Sequence, residues 1–159
     1  MDGISSFISP VLTIFGWAIA YQLAKMNSTR TESKSIIDAC NAIIDNISEK
    51  GASFYLDEPC DSFEKRSFEH LANIKISLLT KKLEQLEKRG IKISDEMISD
   101  FHVSLTREIL DQGTPNHRPD KCVHSIITSS TNISTMLMMI FHKKYPPFEG
   151  LSSIKKLFV

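Results

Sequence analysis

Apolar and polar positions divide the chain into one unbroken apolar run followed by several amphipathic stretches. Residues 4–24 contain no charged side chain, and Lys25 begins a region in which apolar residues recur every three or four positions. About 20 predominantly apolar residues can cross a bilayer as a helix, so the pattern predicts a transmembrane anchor over residues 1–25. The residues assigned to the anchor are Ile4, Phe7, Ile8, Val11, Leu12, Ile14, Phe15, Trp17, Ile19 and Tyr21.

A cleaved signal peptide and a buried core helix are the alternatives for this run. A signal peptide needs a positively charged start and a shorter apolar core, whereas the only charged residue before Lys25 is Asp2. Basic residues that flank a span stay in the cytosol. Because Lys25, Arg30 and Lys34 follow the run and no basic residue precedes it, the N-terminus is predicted outside and the main domain in the cytosol. The expected location is a bacterial inner membrane.

Beyond the anchor, the helical period predicts an all-α domain of about four helices, at about residues 31–50, 62–89, 94–112 and 120–144. The first helix either continues from the anchor or breaks at the polar residues 27–29, and Gly51 is expected to end it. Short connections favour packing of the amphipathic faces into a bundle over residues 26–147. The predicted core stripe of the second helix contains Phe63, Phe68, Leu71, Ile74, Leu78, Leu79, Leu83 and Leu86.

Two segments of the domain remain open to more than one interpretation. Residues 123–141 form the second most apolar run and are either a bundle helix or a second span. A second span would place Lys143 and Lys144 outside, against the rule for basic residues, so a bundle helix is favoured. Residues 148–159 form a short basic and apolar tail that either docks on the bundle or contacts a membrane surface or a partner.

Charge and cysteine content exclude several classes of function. The formal net charge is +0, and the basic residues occur as short pairs, so no nucleic-acid partner is expected. Three cysteines are too few and too scattered for a disulfide framework. They are expected to be reduced thiols in a cytosolic domain.

Residues 117–124 hold the densest group of potentially reactive side chains, including Cys122 and His124. Cysteine and histidine bind zinc, and Cys60 could converge with them, but side chains two apart on a helix point in different directions. We therefore interpret these side chains as polar loop residues and not as a metal site. The case for Cys122 as a catalytic nucleophile is weaker still. Phosphate-binding loops, dinucleotide fingerprints and hydrolase motifs are missing from the sequence. We expect no cofactor, metal, small-molecule substrate or enzymatic activity.

Small hydroxylated residues are concentrated at positions 128–135, beside three methionines. They favour either a tight packing seam within the bundle or a self-association face formed by Ser130, Ser134 and Met138. Methionine side chains suit a core or an adaptable partner groove.

The first functional hypothesis is an interaction module that binds a protein partner or itself, with lipid around its anchor. The second is a membrane-permeabilising effector, of toxin or phage-defence type, whose anchors oligomerise when the domain is triggered. An enzyme is a distant third.

Overall fold

The computed structural model describes residues 3–56, 62–110 and 119–146, with side chains at 10–56, 63–106 and 120–146. Over these ranges the fold is all-α, as predicted. The four helices are α1 (Gly3–Leu56), α2 (Ser62–Glu87), α3 (Asp95–Leu110) and α4 (Pro119–Lys144). The chain divides into two compact units, with the boundary between Ser35 and Ile36.

In the first unit, Met1–Ser35, α1 passes through residues 27–29 without the break that the sequence left open. Polar side chains there bond to the helix that carries them. The Thr29 hydroxyl donates to the Lys25 carbonyl at 3.0 Å, and the Ser33 hydroxyl donates to the Thr29 carbonyl at 2.8 Å. Each hydroxyl thus finds an acceptor within the helix, a pattern that weakens a helix only slightly, and α1 continues through this polar stretch.

The predicted transmembrane anchor and the membrane location are wrong for the part of the chain that the structure describes. None of its helices combines the length and the apolar character needed to cross a bilayer. The physical reason lies in the described side chains of α1. From Pro10 to Lys25 they include Thr13, Tyr21 and Gln22, polar side chains that lower the mean hydropathy of this stretch.

The second unit, Ile36–Val159, holds a helical bundle with a single apolar core. Every helix contributes to this core, at spacings of three, four or seven residues that keep its side chains on one face. Fully buried members are Ile37, Cys40, Ile44 and Ile47 of α1, Ala72, Leu79 and Leu86 of α2, Phe101 and Leu105 of α3, and Ile126, Ile133 and Leu137 of α4.

Gly51 does not end α1, contrary to the prediction, because the helix continues to Leu56. The glycine is buried at a point where other helices pack against α1. The extra turn carries Tyr55, whose hydroxyl donates to the Leu105 carbonyl at 2.9 Å. Its neighbour Phe54 stacks on Phe68 with ring centroids 4.5 Å apart. The aromatic turn after Gly51 therefore joins α1 to α2 and α3.

The buried face of α2 is rotated from the predicted stripe. Phe68, Leu79 and Leu86 are buried as expected, whereas Phe63, Ile74 and Leu78 are exposed. Ala72 occupies the core instead. The buried face of α2 is therefore set by the helices that pack against it.

Gly90 ends the turn after α2 with a φ of +70°, a conformation that favours glycine. The Ile91 amide then donates to the Leu86 carbonyl at 3.0 Å. Directly afterwards Ile91 and Ile93 enter the core, a contribution that the helical period could not predict. Lys144 at the end of α4 donates to the Arg89 carbonyl in the same turn.

Residues 123–141 lie within α4 and belong to the bundle. Ile126, Ile133, Leu137 and Phe141 face the core from this helix, whereas Ile127 and Met139 are exposed. An amphipathic helix with one buried face is the arrangement expected of a bundle member, so the bundle interpretation of this run is confirmed.

Candidate functional site

The largest apolar surface on the described chain is carried by residues 10–26 of α1, hereafter the apolar segment. Every residue of this segment is exposed. Trp17 is 76% exposed and Ile14 is 69% exposed, values that belong to polar side chains in most folded proteins. The exposed large side chains are Val11, Leu12, Ile14, Phe15, Trp17, Ile19, Tyr21, Leu23 and Met26.

The size of this surface separates it from ordinary surface hydrophobics. Scattered apolar side chains are normal, and the largest patch on a monomer is typically about 300–600 Å². Aromatic side chains carry about 150–250 Å² each, so nine large apolar and aromatic side chains, each 49% exposed or more, present roughly 1,000 Å². A helix that is apolar on most of its circumference is normally buried by neighbours.

The sequence assigned ten residues to this region. Val11, Leu12 and the five anchor residues from Ile14 to Tyr21 lie in the exposed segment. The side chains of Ile4, Phe7 and Ile8 lie outside the described ones. The sequence pattern identified the apolar run, but it predicted lipid around the run where the structure has exposed side chains.

The basic residues used to assign an orientation follow directly. Lys25 is exposed, whereas Arg30 and Lys34 are half-buried. Their role in orientation depended on the anchor and is withdrawn with it. They mark the point at which α1 changes from an uncharged to a charged helix.

The predicted self-association face lies along α4. Ser130 is buried, and its hydroxyl donates to the Ile127 carbonyl at 3.0 Å. Ser134 and Met138 are half-buried and, with Asn41 of α1, line an open groove of about 600 Å³. The three residues thus divide between the core and a groove wall, and the structure does not gather them on one exposed face.

A second, polar groove of about 470 Å³ runs between α3 and α4. Its lining includes Asp100, Lys121 and His124, together with Ser104 and Ser129. The two serine hydroxyls lie 2.9 Å apart, so one donates to the other, and the accepting serine donates to a carbonyl of its own helix, that of Phe101 for Ser104 or of Ser125 for Ser129. The serine pair links α3 to α4. Among the described hydrogen-bond partners of these two serines, none is a general base.

The sequence missed a third groove, between α1 and α2. Its volume is about 640 Å³, and Phe54, Phe63 and Leu71 line it beside Glu49 and Glu64. The helical period of α2 predicted that Phe63 lies in the core, and no local pattern indicates that its side chain is 76% exposed.

The cysteine and histidine candidates do not form a metal centre in the described ranges, where groups of three suitable ligands do not occur. Cys122 is half-buried and His124 is exposed on α4, while Cys60 and His117 lie outside those ranges. Cys40 is buried in the core, and burial raises the pKa of its thiol to about 11, opposed by the nearby Lys82. A thiol with that pKa is a poor nucleophile near neutral pH.

Comparison of the chain with protein-family models, with curated proteins and with solved structures gives no match.

Proposed function

We propose that this chain is a helical protein-interaction module whose apolar segment binds a protein surface. The observation that carries this proposal is the exposure of nine large apolar side chains on one stretch of α1 whose only charged residue is Lys25. Exposing apolar surface to water costs about 25 cal/mol of free energy per Å². Covering it with protein is therefore strongly favourable and provides the driving force for binding.

The chemistry of the grooves supports the same choice. In the groove between α3 and α4, the Ser104 and Ser129 hydroxyls bond to each other and to backbone carbonyls. The other two grooves have apolar side chains in their lining, such as Met138 and Leu71. Side chains of this kind pack helices and suit a module whose activity is binding.

Site-specific photo-crosslinking tests the proposal. A photoreactive amino acid replaces Trp17 in the full chain, and the same residue replaces Ile74 in a control variant. Ile74 is a suitable control because it is 52% exposed on α2, outside the apolar segment. After illumination of living cells, position 17 should give protein adducts of defined mass that position 74 does not give. Equal labelling at both positions, or no protein adduct at position 17, would contradict the proposal.

A further inference from the structure

We infer that the protein surface bound by the apolar segment is the same segment in further copies of this chain, in a discrete assembly of three or more. This inference rests on the proposed function and names the partner. Two properties of the segment carry it: the area that it exposes and the distribution of that area around the helix.

The exposed area matches what a stable self-association requires. A standard interface buries about 800 Å² on each partner, and the segment presents roughly 1,000 Å² of apolar surface. A second copy supplies an equal area of the same character. Because positions 10–24 carry no charge, two such segments can pack in contact without burying an unpaired charge, which would oppose association. Most soluble oligomers are assemblies of identical chains.

The distribution around the helix sets the number of copies. Successive residues of an α-helix are rotated by about 100°, so the nine exposed side chains cover roughly two thirds of the circumference. Trp17 and Ile19 point in nearly opposite directions and are 76% and 60% exposed. One neighbouring helix covers a stripe of about 100°. A dimer would leave one of these two side chains in water, whereas two neighbours cover both.

Light scattering coupled to size-exclusion chromatography measures this directly on the full chain. The chain has a mass of 18.0 kDa, and we expect a discrete species of at least three times that mass. Trp17→Glu and Ile19→Glu should each weaken assembly by roughly a hundredfold, because each buries a carboxylate in an apolar contact. Ile74→Glu makes the same chemical change at an exposed position of the bundle and should leave the mass unchanged.

A folding defect is separated from a loss of assembly by circular dichroism and by the denaturation midpoint of the bundle. Both should be the same in all variants, since neither Trp17 nor Ile19 belongs to the buried core. A monomer at all concentrations overturns the inference, and so does a dimer. A monomer that instead floats with phosphatidylethanolamine and phosphatidylglycerol vesicles overturns it as well.

Failure of the inference and failure of the proposed function are distinguishable. If the purified chain is monomeric while position 17 still crosslinks to a different protein, the chain is an interaction module with another partner. If position 17 gives no protein adduct and the chain is monomeric, both are wrong.

Discussion

The surroundings of Cys40 determine the pKa of its thiol. The sequence placed it on the apolar stripe of α1, and the structure places its side chain fully inside the bundle core. Removal from water disfavours the thiolate, which raises the pKa from its usual value of 9.0 to about 11. The same residue type at position 122 is half-buried, so the two thiols differ in environment although both lie on helices.

The raised pKa predicts that alkaline pH weakens the bundle. Between about pH 9 and pH 11 the unfolded chain loses the Cys40 proton while the folded chain retains it. The unfolded state then binds fewer protons, so the free energy of unfolding decreases as pH rises through this window. Urea denaturation of the wild-type chain at pH 8 to 11 should show this decrease.

Cys40→Ala provides the control, because it removes the titrating group and leaves the other alkaline titrations in place. The variant loses about 1–2 kcal/mol at pH 7 through the small cavity that it creates, but its stability should fall less steeply above pH 9. Parallel curves for the two proteins would show that Cys40 does not titrate as its burial requires.

At the scale of the element, Gly51 determines how closely the helices approach α1. A Cβ atom at this position would lie 3.0 Å from Leu105 Cδ2, 3.2 Å from Ile126 Cδ1 and 3.4 Å from the Phe68 ring. Side chains of α2, α3 and α4 thus converge on one residue of α1. In the sequence, a glycine after a helical stripe is typical of a helix end, and nothing local distinguishes this one from a terminator.

Gly51→Val is expected to lower the free energy of unfolding by about 1–3 kcal/mol, because added methyl groups overpack a filled core. Thermal or urea denaturation measures the loss. Gly16→Val is the matched control, since nothing lies within 4 Å of a Cβ atom there, and it should leave the denaturation midpoint of the bundle unchanged. If both variants unfold at the wild-type midpoint, the helices do not meet closely at Gly51.

The core face of α2 is also determined by tertiary packing. Its apolar residues are numerous enough to support more than one stripe, and the sequence favoured one that contains Ile74 and Leu78. Only the neighbouring helices decide that Ala72 is buried and those two are exposed. Local periodicity therefore predicts a helix reliably and its orientation less well.

For the whole molecule, the division of the chain between Ser35 and Ile36 gives a prediction about independent folding. The buried apolar residues of the described chain begin at Ile37. Removal of residues 1–24 therefore leaves the core intact, and the truncated chain should unfold cooperatively with a midpoint within a few degrees of the full chain. Circular dichroism during heating measures this.

The same truncation should yield a monomer, because it removes most of the apolar segment. A truncated chain that fails to fold would show that the bundle depends on residues 1–24. Retention of the full-length assembly by a folded, truncated chain would place the contact in the bundle and would argue against the proposed role of the segment.

The sequence by itself determined the all-helical class, the approximate positions of the helices and the existence of an uncharged apolar run. These follow from local periodicity and from charge placement, which each stretch of chain carries within itself. The tertiary structure alone decided that Gly51 lies inside a helix, that Ile91 and Ile93 fill the core, and that residues 10–26 are exposed. Burial depends on which distant segments pack against a residue, and no local pattern contains that information.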